Sequence, residues 1–387
     1  MTRSVALGDV VQKVDKTDPT RTFADSDFAY VDIGAIDQDR KAIGGIDLVA
    51  GANAPSRARQ VVASGDVLVS TVRPNLNAVA EVPPDLDGAI ASTGFTVLRP
   101  RSDRLLGRYL FHWVRTPSFV TEMTRLATGA SYPAVSDAIV LRSSLPLPPI
   151  EEQRRIAAVL DQADEVRAKR RTSLALLDSL TESIFLDMFG SDLSDSLVPL
   201  NDLIDPERLI CYGILMPGED LPGGRPYVRV VDMKDGTIDY SSVRRTTAEI
   251  DQKYRRSRLR SGDLLMSIRG HVGRLAEVPS ELDGANITQD SARVGVVGAH
   301  PRFVLAQLRS QHCQRWMARH IRGVAVRGIN IGDVRRIPLF LPSSQDQQTF
   351  VDRVNALEAQ RGLGRTSEAE LDSLFASLQQ KAFVGAL

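Results

Sequence analysis

The chain has 387 residues, with 48 Lys and Arg balanced by 48 Asp and Glu, and 43% apolar against 25% charged residues. These ordinary globular proportions exclude collagen-like and wholly disordered architectures, and at roughly 100–200 residues per domain the length predicts two or three domains. No apolar run approaches the ~20 residues of a spanning helix, the first residues lack a signal-peptide core, and Cys211 and Cys313 form no zinc-type pair, so a cytoplasmic protein with reduced thiols is expected.

In chain order, residues 1–147 alternate short Val/Ile/Leu runs with Gly, Pro, Asn and Asp. Asp66-Val-Leu-Val-Ser-Thr-Val and Gly94-Phe-Thr-Val-Leu read as strands, Gly8-Asp and Gly65-Asp as turns at their edges, and 104–127 as helical. After Leu145-Pro-Leu-Pro-Pro149 the texture is helical through 148–190. Ile156, Val159, Ala163, Val166, Ser173, Leu177, Leu180 and Ile184 give the alternating 3,4 spacing of a coiled-coil seam, interrupted at Arg170. Residues 191–341 return to strand texture, with a Gly262-Asp turn and a helical stretch at 301–322. A second helix fills 342–387, starting at a Ser344-Gln-Asp-Gln347 capping box, with Phe350, Val354, Leu357, Leu371, Leu374 and Leu378 on its seam. Gly362 and Gly364 are expected to weaken or break it at its middle, each costing up to ~1 kcal/mol relative to Ala. The fold class is α+β, and each helix is expected to find its partner in the other, the alternative being that each packs on its own globular neighbour.

The second half repeats the first. Tyr30-Val-Asp-Ile echoes Tyr227-Val-Arg-Val, and Ser64-Gly-Asp-Val-Leu-Val-Ser70 echoes Ser261-Gly-Asp-Leu-Leu-Met-Ser267. Val82-Pro-Pro-Asp-Leu-Asp-Gly-Ala89 matches Val278-Pro-Ser-Glu-Leu-Asp-Gly-Ala285, and 148–153 matches 342–347. Blocks matched in one order over so long a period mean a duplicated domain rather than a solenoid.

No phosphate loop, nucleophile elbow, metalloprotease motif or methyltransferase motif is present, so no catalytic residue is assigned. His312, Cys313 and His320 are poorly spaced for a metal and read as packing or surface residues. The zero net charge is a sum over unequal parts. Residues 1–150 carry 16 basic and 16 acidic side chains, 191–342 carry 22 and 18, and the helices at 151–190 and 343–387 carry 6 against 8 and 4 against 6. The basic excess is densest in Lys253-Tyr-Arg-Arg-Ser-Arg-Leu-Arg260, where Lys253, Arg255, Arg256 and Arg258 are candidate phosphate contacts.

The repeated scaffold carries divergent tips. After the matched strand one copy reads Thr71-Val-Arg-Pro-Asn-Leu-Asn77 and the other Ile268-Arg-Gly-His-Val-Gly-Arg274. A later turn reads Thr128-Gly-Ala-Ser-Tyr-Pro133 in one and Gly323-Val-Ala-Val-Arg-Gly-Ile-Asn330 in the other. Arg and Asn are side chains that read base edges. Arg73, Asn75, Asn77, Ser131 and Tyr132 are therefore candidates to read one sequence, and Arg269, His271, Arg274, Arg327 and Asn330 another, the competing reading being ordinary hairpin loops.

These residues resemble the specificity subunit of type I restriction–modification systems. The resemblance spans nearly the whole chain and is carried by Ser64-Gly-Asp-Val-Leu-Val-Ser-Thr-Val-Arg-Pro74, Ser92-Thr-Gly-Phe-Thr-Val-Leu-Arg-Pro100, Leu145-Pro-Leu-Pro-Pro-Ile-Glu-Glu-Gln-Arg-Arg-Ile156, Arg260-Ser-Gly-Asp-Leu-Leu-Met-Ser-Ile-Arg-Gly270 and Gly328-Ile-Asn-Ile-Gly-Asp-Val334. It implies two target-recognition domains, 1–147 and 191–341, separated by two long antiparallel coiled-coil spacer helices, 148–190 and 342–387, in a pseudo-twofold arrangement. It implies a non-catalytic reader of a bipartite, asymmetric double-stranded DNA site, on whose helices two copies of an adenine-methyltransferase subunit dock, with a restriction (translocase-nuclease) subunit joining. S-adenosylmethionine, ATP and Mg would belong to those partners, and no membrane is involved. A helical scaffold without DNA readout and a nuclease in its own right are the competing readings.

Overall fold

The buried run Val67–Ser70 is the centre strand of the first of two units. The computed structural model describes residues 3–190, 197–234, 236–323 and 327–384. The chain divides into one unit of Met1–Ser173 with Gly364–Leu387 and another of Leu174–Leu363. In the first, Val67–Ser70 pairs antiparallel with Phe95–Pro100 and with Val79–Glu81, and Val11–Gln12 completes a four-stranded sheet. Alternate side chains of this strand leave on opposite faces. Val67 and Val69 join the cluster around Leu98, Tyr109 and Trp113, whereas Leu68 joins that of Ala80, Phe95 and Val97. A second sheet has the order Asp47–Ala50, Asp27–Val31, Ile90–Ser92, Ala58–Val61, its central pair parallel.

The second unit repeats this plan. Leu264–Ser267 lies between Ser291–Val294 and Leu275–Glu277, with Cys211–Tyr212 at the edge. Arg225–Val228 again runs parallel to Asn286–Ile287 and antiparallel to Arg244–Thr246. The strand matching Ala58–Val61 is replaced by the short helix Ala248–Lys253 and a turn at Arg255–Ser257.

The helical stretches near 104–127 and 301–322 are each two helices. Gly107–Trp113 and Pro117–Leu126 are separated by Thr116, whose hydroxyl caps the second by accepting the Phe119 N–H. Pro301–Arg309 and Gln311–His320 are separated by Ser310, which caps in the same way. A side-chain cap and a proline at the first turn start a new helix axis, and a periodicity count alone misses that.

The long helices are Ile150–Phe189 and Ser344–Val384, 40 and 41 residues without interruption. The expected break at Gly362 and Gly364 does not occur. Each glycine costs about 1 kcal/mol, and helix hydrogen bonds propagating from both sides outweigh that. The second helix is capped one residue earlier than expected, by Ser343, whose hydroxyl accepts the Asp346 N–H.

Within the first unit the two helices run antiparallel. Arg167 bonds to Asp372, and Arg171 to Glu368 and Asp372. The Arg167 guanidinium also lies 4.3 Å over the Phe375 ring. Within the second unit they are antiparallel too, with Phe185 and Phe189 against Phe350 and Phe303. Ile156, Phe350, Val354 and Leu357 are buried on the seam as expected; Val166, Leu180 and Leu374 are exposed. Val159, Leu177, Ile184, Leu371 and Leu378 are half-buried. The actual stripe includes Leu160, Phe375, Gln379 and Ala382, with arginine–carboxylate pairs where the first helix lacks apolar residues. Counting leucines placed the seam about one residue away from the face that packs.

Candidate nucleic-acid interface

In each unit a short hairpin is clipped to the segment that leaves the central strand. In the first, Thr128 and Ala134 close the hairpin, and Ala134 also bridges to Val72. In the second, Arg322 bridges to Gly328, and Gly328 bridges to Arg269. The backbone bonds correspond: Arg73 N–H to Pro133 carbonyl at 2.7 Å and Gly270 N–H to Arg327 carbonyl at 3.0 Å. Two divergent segments, over fifty residues apart in sequence, thus form one tip at the same end of the same strand in both units.

In the first tip, the Arg73 guanidinium sits 4.7 Å over the ring of Tyr132, a cation–π contact between exposed residues. Arg73 adopts the left-handed conformation, φ 49°, where the second unit has Gly270 at φ 70°. A non-glycine residue there is strained and persists only where something else requires its side chain. Asn75 and Ser131 are exposed beside it. Asn77 is not free to read. Its amide donates to the Val114 carbonyl at 3.0 Å, and its own carbonyl accepts from Lys41 Nζ at 2.6 Å. Lys41 escapes sequence reasoning altogether; burial, then the neighbouring Arg115, holds its ammonium down at about 8.

In the second tip Arg269, His271, Arg274 and Arg327 are exposed. Arg269 Nη1 donates to Gln289 Oε1 at 3.0 Å, which adds an unforeseen polar residue to the tip. Gln289 is itself held by its N–H bond to the Ile214 carbonyl, so the exposed Leu215 and Met216 flank the same site. Asn330 has another job. It caps the helix Ile331–Arg335, its Oδ1 accepting the Asp333 N–H at 2.8 Å.

The basic run does not join this tip. Arg260 precedes the strand that Arg269 follows, and four strand residues span ~13 Å. Lys253, Arg255 and Arg256 are exposed there, whereas Arg258 is bound to the buried carboxylate of Asp251 and to Gln252. The histidine and cysteine residues singled out earlier do not converge. Burial pushes the Cys313 thiol up to about 11, and His320 stacks on Trp316 at 3.7 Å. Among the described residues no group of three metal-ligating side chains occurs, and no helix is long and apolar enough to cross a membrane.

Residues 5–175 match the family model described as the type I restriction modification DNA specificity domain. The EcoBI specificity subunit of Escherichia coli is 28% identical over 325 residues, covering 74% of this chain and 67% of that one. A solved chain from a study of type I restriction–modification complex assembly and conformational transition superposes with a TM-score of 0.65 at 28% identity, over 100% of this chain and 98% of that chain. Over its whole length, then, the chain is similar to type I restriction–modification specificity subunits. At 13% identity, the S subunit of M. genitalium shares the fold, with a TM-score of 0.56 over 99% of this chain and 96% of the other. The two divergent tips expose arginine and asparagine side chains, types that can pair with base edges.

Proposed function

We propose that this chain is the specificity subunit of a type I restriction–modification system and reads a bipartite, asymmetric double-stranded DNA site, one half with each unit. The observation that carries this is the pair of matching bridges, Val72 to Ala134 and Arg269 to Gly328, which hold diverged side chains on an identical frame. Arg73, Asn75, Ser131 and Tyr132 serve the first half-site; Arg269, His271, Arg274 and Arg327, with Gln289, serve the second. Asn77 and Asn330 fix the backbones that present them, and Lys253, Arg255 and Arg256 meet phosphate. The recognition domains are 1–147 and 191–341, with 148–190 and 342–387 as spacer helices. Two adenine-methyltransferase subunits dock on these helices, a restriction subunit completes the complex, and catalysis with its S-adenosylmethionine, ATP and Mg resides in those partners.

Methylome sequencing of cells carrying the chain with its neighbouring methyltransferase tests the reading. Arg269→Ala is expected to relax or abolish one half-site and leave the other; an unchanged motif defeats the assignment. Purified chain with Mg and DNA is expected to cleave nothing. Binding that fails to favour cognate over random duplex by roughly 10³ or more at physiological salt would favour a scaffold without readout.

A further inference from the structure

At the end of Leu264–Ser267 opposite the reading tip, the second unit holds a cavity of about 890 Å³ walled by seven arginines: Arg208, Arg255, Arg256, Arg258, Arg260, Arg293 and Arg335. Arg208 is neutralised by Asp263 and Arg258 by Asp251. Among the described residues no ion pair holds the other five, and Glu207 and Asp283 are the only carboxylates in the wall.

Arg293 decides what the cavity is for. It is 1% exposed, yet its Nε and Nη1 have no hydrogen-bond partner, while Nη2 donates to the Leu209 carbonyl at 3.1 Å and to Cys211 Sγ at 3.7 Å. The nearest carboxylate, Asp263, is already taken by both Arg208 terminal nitrogens, and a buried guanidinium with two unbonded N–H groups destabilises a fold. The fold does not ask for one here. Arg293 stands opposite Leu265 at the register position where the first unit sets Val97 opposite Leu68. Arg335 repeats the pattern, with its Nε buried and unpartnered and its Nη2 on the Ile210 carbonyl at 3.3 Å. The absence of a side chain at Gly295 lets these groups gather: a Cβ there would meet Asp263 Oδ1 at 3.3 Å, Arg208 Nη1 at 3.4 Å and Arg293 Nη1 at 3.6 Å. Guanidinium groups donate only, and their planar forks match the oxygens of phosphate.

We propose that this cavity binds a phosphate group, with Arg293 as its floor, Arg335 and Arg208 as its walls and Arg255 and Arg256 at its rim. The phosphate comes either from a free ligand or from a DNA backbone. The site shares its rim with the phosphate contacts proposed above, but it is independent of base reading, and its test needs no DNA.

The full chain is melted in inorganic phosphate and in chloride at equal ionic strength, alongside Arg293→Val, which installs the residue of the first unit. At tenfold saturation phosphate is expected to raise the wild-type Tm by about 3–6 °C and to leave Arg293→Val unmoved. Equal shifts in both proteins, or a shift in neither, overturn the proposal. Should Arg293→Val not fold, Arg335→Gln is read the same way, with the phosphate shift lost. Binding of cognate duplex at several salt concentrations then separates the sources. A salt slope lower by about one in the variant identifies a DNA phosphate, and an unchanged slope identifies a free ligand. Loss of base discrimination in Arg269→Ala is scored separately, so the two readings fail independently.

Discussion

The Arg73 guanidinium stacks on Tyr132 from a backbone conformation that glycine fills in the other unit. Arg73→Gly should therefore stabilise the chain by up to about 1 kcal/mol while degrading recognition of one half-site. Thermal melts and methylome sequencing on the same variant check both halves. A variant that is less stable and fully specific contradicts the strain argument.

Gln153 and Gln347 are buried latches. Gln153 accepts the Leu106 N–H and donates to the carbonyls of Arg104 and Pro148. Gln347 accepts the His300 N–H and donates to the Pro342 carbonyl. Replacing Gln153 with Ala removes three bonds to partly buried backbone groups and is expected to cost about 1–3 kcal/mol. Chemical denaturation measures it, and a loss under 1 kcal/mol would show that water substitutes readily.

Gly362 is exposed with open space for a Cβ, so Gly362→Ala should stabilise the second long helix by about 1 kcal/mol. Helicity by circular dichroism and Tm should rise together, with the recognised sequence unchanged.

Acid should loosen the first unit. Burial raises the Asp161 carboxyl, but bonds from His112 and Arg108 outweigh it and hold the group down at about 2, against 3.8 ordinarily. Its stabilisation is present above about pH 4 and is lost as the pH falls toward 2. His112 is held below 6.5, chiefly by burial and against its bond to Asp161, so the unfolded chain takes up a proton first and stability already declines below about pH 6.5. Melts between pH 7.5 and 5 should show a downward slope that His112→Gln flattens; an identical slope in the variant removes His112 from the account.

Asn330 and Arg327 should separate cleanly. Asn330→Ala removes a helix cap and is expected to cost about 1 kcal/mol, whereas Arg327→Ala should weaken DNA binding at unchanged Tm.

The duplication, the central strands and the two tip segments were all legible, because the matched blocks lie on strands and the divergence on the loops between them. That the two loops in each half would meet was not, since bridges such as Val72 to Ala134 depend on where the sheet ends. Asn77, Asn330 and Arg258 carry the residue types of DNA readers. Their bonds to Val114, Asp333 and Asp251 arise only in three dimensions. The seam failed where Phe375 packs and Leu374 does not, because a helix face rotates by 100° for each residue of misregister. Gln289 had no signal beyond adjacency to a matched strand.

The glutamine latches have an evolutionary consequence. Each lies with its proline acceptor inside the block shared by the two halves, 148–153 and 342–347. Recombination within that block would exchange one reading head for another and still deliver a glutamine five residues after a proline. On the proposed function, a joint built this way lets one head replace another while the helix entry that follows keeps its glutamine–proline bond.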